Sequence, residues 1–348
     1  MDEKNIRPPI AVTIGEPSGI GPEVILKSWY KRNEFELDKF FVIGSVELLQ
    51  KQAEILSLNV PVQSIHAPRE TEFVFNNSLP VLDLGLPHEF EFGVPNKETA
   101  PMVIGAIDKA VELITSGQAR AMATAPIHKA ALYSAGFTCP GHTEYLGQLS
   151  TKHTGQEYQP VMMLAADELC VVPLTIHVAL KDVPGMISHK LIVQTVRTIH
   201  ESMQQYFGLE FPSIVVSGLN PHAGEDNAMG TEDSEIIAPA IAALKQNGIR
   251  INGPMPADTM FHKAARDKYD VALCMYHDQA LIPIKTINFD AGVNVTLGLP
   301  MVRTSPDHGT ALDIAGQGLA NPTSMINSIK LAERMSFNYK PIETEQDV

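Results

Sequence analysis

Three histidines in the second half of the chain each follow a run of β-branched and apolar residues. The runs and their histidines are 169–176 with His177, 213–219 with His222, and 270–276 with His277. Such runs, separated by helical stretches, are typical of buried parallel strands, whose carboxyl ends lie at one edge of a sheet. Neutral imidazoles suit Zn, Co, Fe or Ni, and three protein ligands leave coordination positions open for a substrate. The pattern predicts a catalytic metal site, unless each histidine only caps or hydrogen-bonds its own strand end.

Two cations lie among mainly apolar neighbours. Lys285 comes eight residues after His277, and Arg303 lies in the stretch 300–305. Because an unpaired buried charge is costly, each cation needs a fixed anionic partner. That partner is either a structural carboxylate or a ligand phosphate, and the sequence leaves both open.

Four other polar residues are candidates for ligand contact. His142 and Thr143 precede a helical stretch, where they could cap the helix or face an anion at its amino end. Asn294 interrupts an apolar strand, either as a ligand contact or as a bulge. Asp258 lies in a proline-rich loop, where an Asx turn is the usual explanation.

A glycine-rich turn at 15–21 connects an apolar run to a helical stretch that starts at Pro22. Backbone N–H groups in such a turn can bind phosphate. However, the turn lacks the final Gly-Lys-Ser/Thr of a phosphate-binding loop and the third glycine of the dinucleotide fingerprint. Phosphate binding and a plain tight turn both remain possible interpretations.

The elements that must position these residues alternate between strands and helices. Further strands are predicted at 10–14, 40–43 and 121–125, and helices at 22–31, 101–116, 190–206, 232–246 and 321–335. This order predicts an α/β protein. Because no linker marks a border, we expect one domain to be inserted into the other, with residues 1–130 and 286–348 in the first domain and 131–285 in the second.

Composition and charge exclude several classes of protein. The chain has 348 residues, 44% of them hydrophobic, enough for a substantial core. Its net charge of -14 would repel a nucleic-acid backbone. Its 3 cysteines have no Cys-x-x-Cys spacing, which suits a reducing cytosol. Since no signal core or long apolar stretch occurs, we expect a cytoplasmic protein without membrane contact.

Seven short motifs occur in a fixed order between about residue 10 and about residue 335. They are Gly15-Glu16-Pro17-Ser18-Gly19-Ile20-Gly21-Pro22, Thr124-Ala125-Pro126-Ile127-His128-Lys129, Gly141-His142-Thr143-Glu144, Asn220-Pro221-His222-Ala223-Gly224-Glu225, Pro256-Ala257-Asp258-Thr259, Tyr276-His277-Asp278-Gln279 and Asp307-His308-Gly309-Thr310-Ala311. Together they resemble the 4-hydroxythreonine-4-phosphate dehydrogenase family of pyridoxal phosphate biosynthesis. One departure is Ala280, where that family usually has glycine.

The resemblance implies specific roles for the candidate residues. A divalent metal (Zn, Mg or Co) would be bound by His177, His222 and His277. A small phosphorylated substrate would be contacted by His142, Thr143, Lys285, Asn294 and Arg303. The implied fold is like that of isocitrate and isopropylmalate dehydrogenases, with two α/β/α domains and a cleft between them. The family works as a homodimer whose second subunit completes the site.

The segment 307–316, with its continuation at 320–322, is similar to the adenosine-binding segment of those two dehydrogenases. By that similarity His308, Asp313 and Asn321 are candidate contacts for NAD or NADP. The implied reaction is oxidation of 4-phosphohydroxy-L-threonine to 2-amino-3-oxo-4-phosphobutanoate, which loses carbon dioxide to give 3-amino-2-oxopropyl phosphate. Asp258 and Lys285 are the candidate proton acceptors.

Three alternatives stay open. A dehydrogenase of threonate or erythronate 4-phosphate would need the same metal and phosphate contacts. A metal-dependent lyase or aldolase would need no nicotinamide cofactor. A two-lobed binding protein would bind a ligand without turnover.

Overall fold

The computed structural model describes residues 7–85, 90–139 and 141–339. Within them the strands are β1 (Ile10–Thr13), β2 (Phe40–Gly44), β3 (Val62–Ile65), β4 (Leu79–Asp83), β5 (Ala121–Thr124), β6 (Val161–Ala166), β7 (Leu169–Thr175), β8 (Ile214–Ser217), β9 (Ile251–Met255), β10 (Val271–Tyr276), β11 (Val293–Leu297) and β12 (Arg303–Pro306). The α-helices are α1 (Gly21–Tyr30), α2 (Val46–Ile55), α3 (Thr71–Val74), α4 (Ala100–Thr115), α5 (Lys129–Ser134), α6 (His142–Thr154), α7 (Val183–Met186), α8 (His189–Phe207), α9 (Ala238–Gln246), α10 (Lys263–Arg266), α11 (His277–Ile287) and α12 (Thr323–Asn338).

The chain divides into two compact units. The first comprises Met1–Pro160 and Leu299–Val348, and the second comprises Val161–Gly298. Both alternate strands with helices, so the predicted α/β class is confirmed. The domain borders predicted from the sequence, after residues 130 and 285, fall inside α5 and α11, and a division at those positions stays a prediction.

The sheet of the first unit is parallel, in the order β3-β4-β2-β1-β5-β12. Its central strand β1 is buried along its whole length, as expected for an apolar strand covered on both faces. Ile10 lies opposite Phe40 on one side and Ala121 on the other. Helix α4 packs against β1 and β2, and α12 packs against β5 and β12.

The sheet of the second unit is mixed, in the order β11-β6-β7-β10-β8-β9. The pairs β11/β6 and β6/β7 are antiparallel, whereas β7, β10, β8 and β9 run parallel. Helix α11 packs against β7 and β10, and α8 packs against β6, β7 and β11. This arrangement buries a core that includes Leu164, Val171 and Cys274.

Several predicted elements shift by a few residues or change type. The helix predicted at 232–246 begins as a π-helical turn, Asp233–Ile237, before α9. Strand β6, which was not predicted, forms an antiparallel hairpin with β7. In the described part of the chain, no helix is long and apolar enough to cross a bilayer.

Candidate functional site

The three strand-end histidines follow neighbouring strands of the second sheet. Strand β10 pairs in parallel with β7 on one side and with β8 on the other. Their carboxyl ends therefore lie at one edge, which carries His177 after β7, His277 at the start of α11, and the turn with His222 after β8. The predicted shared edge is confirmed.

His177 and His277 lie together in a pocket of about 230 Å³. Their ring centroids are 5.8 Å apart. The lining residues are Thr175, His177, Val178, Leu180, Val183, Tyr276, His277 and Asp278. His222 is not among them.

Two of the imidazoles are oriented by neighbouring carboxylates. His277 Nδ1 lies 2.7 Å from Asp278 Oδ1, and His222 Nδ1 lies 2.8 Å from Glu225 Oε2. A histidine that donates Nδ1–H to a carboxylate keeps its Nε2 lone pair for a metal. The hydrogen bond to the Glu225 carboxylate, with smaller contributions from its charge and that of Asp258, raises the pKa of His222.

The pocket contains two of the three histidines that were predicted to bind a metal. The pocket supplies two imidazoles, but no group of three His, Cys, Asp or Glu side chains among the described residues is placed to hold an ion. His222, the third predicted ligand, does not line the pocket, so the structure brings two of the three predicted ligands together. The three-histidine metal site stays a prediction.

The turn that carries His222 has an unusual backbone. His222, Ala223, Glu225, Asp226 and Asn227 all have positive φ between 38° and 72°. Left-handed conformations cost roughly 1–2 kcal/mol for each residue other than glycine, so surrounding contacts must hold the turn. The buried carboxylate of Asp233 holds the residues that lead into the turn: it accepts hydrogen bonds from Leu219 N at 2.8 Å and from Asn220 N and Nδ2 at 3.1 and 3.0 Å.

Gln279 joins the ends of β8 and β10. Its Oε1 accepts hydrogen bonds from Ser217 Oγ and Met275 N, each at 2.7 Å, and its Nε2 donates to Gly218 O at 2.9 Å. The side chain thus fixes the spacing between His277 and the segment that leads to His222. Sequence reasoning missed both Gln279 and Asp233, although Gln279 stands next to the His-Asp pair.

Ala280, where the family resembled by the motifs usually has glycine, does not lie in a turn. It is the fourth residue of α11 and is fully buried in the core of the second unit. Its methyl group therefore packs in a helix, where alanine is favoured over glycine.

The other candidates in the second unit occupy different elements. Asp258 is exposed in the 3₁₀ turn Ala257–Thr259 and acts electrostatically on His222. Lys285 is half-buried on α11, with Nζ 5.7 Å from the Phe289 ring centroid. Asn294 lies on β11, and its buried Oδ1 has no hydrogen-bond partner within the described ranges.

Arg303 and His142 lie side by side in the first unit. Arg303 is 4% exposed, and its Nε and Nη2 donate to Thr124 Oγ1 at 3.1 and 2.8 Å. Its Nη2 also lies 3.3 Å from His142 Nδ1. Because a guanidinium can only donate, Nδ1 accepts and the proton of the neutral imidazole is on Nε2. That buried Nε2–H has no partner in the described part of the chain.

The charge states of Arg303 and His142 allow both side chains to donate hydrogen bonds to an anion. Burial lowers the pKa of Arg303 to about 10, so the group remains charged at neutral pH. Burial, followed by the charges of Arg303 and Lys129, lowers the pKa of His142 well below 6.5. The predicted capping role is wrong for His142 and Thr143, because they are the first residues of α6, after Gly141, and no side chain caps that helix. Both therefore lie at the positive end of the helix dipole.

The predicted cofactor residues lie in and beside the loop before α12. His308 Nδ1 bonds Gly309 O at 3.0 Å, and its buried Nε2 has no partner among the residues described. Burial also lowers the pKa of His308. Asp313 is exposed, and Asn321 Oδ1 accepts hydrogen bonds from Thr323 N and Oγ1 at 3.0 and 2.7 Å.

The glycine turn at 15–21 is a tight strand-to-helix turn. Four of its N–H groups donate within the protein at 2.9–3.2 Å: Glu16 to Pro126 O, Ser18 to Glu16 Oε1, Gly19 to Glu16 O, and Ile20 to Thr310 O. Because these donors are already used within the protein, the contacts favour the plain-turn interpretation over phosphate binding.

Known proteins are similar to this chain over nearly its whole length. The family model described as pyridoxal phosphate biosynthetic protein PdxA matches residues 36–332. A 4-hydroxythreonine-4-phosphate dehydrogenase from Methylorubrum populi is 51% identical over 330 residues, which cover 94% of each chain. One from Bradyrhizobium diazoefficiens is 49% identical, with 94% of this chain and 97% of that one covered. The crystal structure of a 4-hydroxythreonine-4-phosphate dehydrogenase from Burkholderia phymatum has a TM-score of 0.81 at 36% identity, covering 95% of this chain and 99% of that one.

Proposed function

The chain belongs to the PdxA family of pyridoxal phosphate biosynthetic proteins, and on that premise we propose that it is a 4-hydroxythreonine-4-phosphate dehydrogenase. The observation that carries the proposal is the 51% identity, over 94% of both chains, with a relative of that name. The secondary alcohol of 4-phosphohydroxy-L-threonine would give a hydride to NAD or NADP and its hydroxyl proton to a base. The resulting β-keto acid would then lose carbon dioxide as the electron pair of the broken C–C bond enters the new carbonyl.

The phosphate group of the substrate would bind at Arg303 and His142. A buried guanidinium beside a neutral imidazole with a spare Nε2–H offers both charge and a directed donor. Thr124 holds the guanidinium in place through Nε and Nη2. Binding energy gained at the phosphate orients the carbon that reacts. Thr143, Lys285 and Asn294 are proposed as further substrate contacts.

His177, His277 and His222 would hold a divalent ion such as Zn, Mg or Co. Such an ion, when bound, supplies a Lewis acid that lowers the pKa of the substrate hydroxyl. Asp278 and Glu225 keep Nε2 of His277 and His222 available by bonding Nδ1. Because one chain brings only two of the imidazoles into the pocket, we propose a homodimer whose second subunit completes the site.

The proton acceptor would be Asp258 or Lys285. Asp258 is exposed beside the His222 turn, where a carboxylate can take up the hydroxyl proton and release it to water. Lys285 lies on the same helix as His277, two turns further along. The nicotinamide cofactor would contact His308, Asp313 and Asn321.

An assay of the purified protein tests the proposal. We expect NADH or NADPH to appear with 4-phosphohydroxy-L-threonine and a divalent ion, and chelation to abolish turnover. Threonate 4-phosphate and erythronate 4-phosphate serve as matched substrates without the amino group. Faster turnover of either sugar acid, or substrate breakdown without cofactor reduction, would contradict the proposal.

A further inference from the structure

The glycine turn before α1 holds the beginning of the segment 310–320. Ile20 N donates to Thr310 O at 3.0 Å. A Cβ atom at Gly19 would lie 2.8 Å from the same carbonyl oxygen, so a side chain at this position is excluded. The turn therefore contacts the segment directly through its backbone.

An ion pair on α1 holds the end of the same segment. Lys27 Nζ lies 2.6 Å from Glu23 Oε1 and donates to Gly318 O and Ala320 O, each at 2.8 Å. Glu23 Oε1 also accepts a hydrogen bond from Ala320 N at 3.0 Å. The Glu23 side chain is 1% exposed and that of Lys27 is 17% exposed. Because water is largely excluded, these contacts restrict the loop more than an exposed ion pair would.

We propose that Glu23 and Lys27 are positioning residues for the nicotinamide cofactor, acting through the segment 310–320. This inference rests on the proposed assignment of His308, Asp313 and Asn321 to the cofactor. Asn321 directly follows Ala320, which the ion pair holds. The buried Nε2 of His308, which has no hydrogen-bond partner among the described residues, is a polar atom that a ligand can satisfy. A segment fixed at both ends loses little conformational freedom on binding, which strengthens affinity.

Calorimetric titration with NAD and with NADP tests this role. We expect Lys27→Met to raise the Kd of the preferred cofactor about tenfold. Binding of 4-phosphohydroxy-L-threonine should be unchanged, and the amides at 318–320 should exchange with deuterium faster. Lys27→Arg, which keeps the charge and the donors, should restore most of the affinity.

The matched control is Lys31→Met, at the residue that directly follows the same helix. Lys31 Nζ lies 3.2 Å from Glu34 Oε2 in an ion pair whose side chains are 39% and 60% exposed. Neither carries a hydrogen bond to the segment, so cofactor affinity should stay at the wild-type value. If Lys27→Met folds poorly, Glu23→Gln provides the same test, with a smaller loss expected because an oxygen acceptor for Ala320 N remains.

The outcomes separate this inference from the proposed function. Wild-type cofactor affinity in well-folded Lys27→Met or Glu23→Gln, together with weak binding in Asn321→Ala, would overturn the positioning role but keep the cofactor segment. Wild-type affinity in all of these variants and in His308→Ala would overturn the assignment of the segment itself.

Discussion

At the scale of single residues, the neutral state of His142 links the proposed phosphate site to folding. Its pKa in the folded protein lies well below 6.5 because of burial and the nearby charges of Arg303 and Lys129. Below about pH 6.5 the unfolded chain therefore binds a proton that the folded chain does not. The stability that comes with a neutral, buried His142 is therefore fully present above about pH 6.5 and is lost as the pH falls.

His142→Gln should make the free energy of unfolding fall less steeply between about pH 6.5 and pH 5. Urea unfolding of the variant and the wild type across this range measures the difference. Part of the slope should remain, because burial also lowers the pKa of His308. His153→Gln, at an exposed position of the same helix, is the control and should keep the full slope. Equal slopes in the wild type, His142→Gln and His153→Gln would contradict a lowered pKa of His142 in the folded protein.

Arg303→Ala should raise the KM for the phosphorylated substrate about a hundredfold, since hydrogen bonds to charged groups contribute roughly 1.5–3 kcal/mol. Arg303→Lys should recover only part, because an ammonium cannot keep both contacts with Thr124. The KM for the cofactor should change little in Arg303→Ala. The control is Arg69→Ala, at an exposed arginine, where the KM values for substrate and cofactor should both stay unchanged. An equal rise in both constants in Arg303→Ala would point to a general loss of structure.

The residue types were readable from the sequence, but their pairings were not. A cation in an apolar stretch marked Arg303 as a residue that needs an anion. Its neighbour His142 lies 161 positions away, and no local periodicity links the two. Gln279 belongs to one of the seven motifs but was given no role, because the sequence does not show that its amide makes three hydrogen bonds.

At the scale of secondary structure elements, the hydrogen bonds of the Gln279 side chain connect β8, β10 and α11. Gln279→Ala removes all three of its hydrogen bonds and should weaken Zn²⁺ or Co²⁺ affinity by roughly 10–100-fold, as loss of groups that orient metal ligands does. Metal titration of the purified protein measures this. Gln279→Glu keeps both acceptor contacts and should lose less. Gln246→Ala, at the exposed end of α9, is the control. Unchanged metal affinity in Gln279→Ala would remove its positioning role.

Ala223→Gly should stabilise the fold by about 0.5–1 kcal/mol. It relieves a left-handed residue at φ 54°, and part of the gain is offset by the freer unfolded chain. Ala242→Gly, at an exposed position inside α9, should have the opposite sign and cost about 1 kcal/mol. Chemical denaturation gives both values. Destabilisation by Ala223→Gly would mean that the turn does not hold this conformation.

The elements found from the sequence are those with strong local patterns. Apolar, β-branched runs identified β7, β8 and β10, and an i, i+4 pattern identified α4. Strand β9 was not predicted, because its residues Gly253 and Pro254 are typical of a loop. The strand lies at the edge of the sheet, where a proline without an N–H group is tolerated.

At the scale of the whole molecule, the pocket that contains two of the three predicted metal ligands leads to a test of the proposed dimer. If His222 comes from the second subunit, a heterodimer of His177→Ala and His222→Ala chains contains one intact site and should show about half of wild-type activity. A heterodimer of His177→Ala and His277→Ala should stay inactive, because both residues line one pocket of one chain. Activity assays on co-expressed, differently tagged chains measure this. No recovery in the first heterodimer would place all three ligands in one subunit.

The order of strands β7, β10 and β8 also governs when the histidine edge can form during synthesis. The strand in the middle of the trio is the last of the three to leave the ribosome, and β7 and β8 pair with it rather than with each other. A nascent chain that ends before residue 271 therefore contains His177 and His222 but lacks β10, the strand that pairs with both β7 and β8. Assembly of this edge waits for the third strand, so binding of the proposed ion should follow the synthesis of β10 and His277.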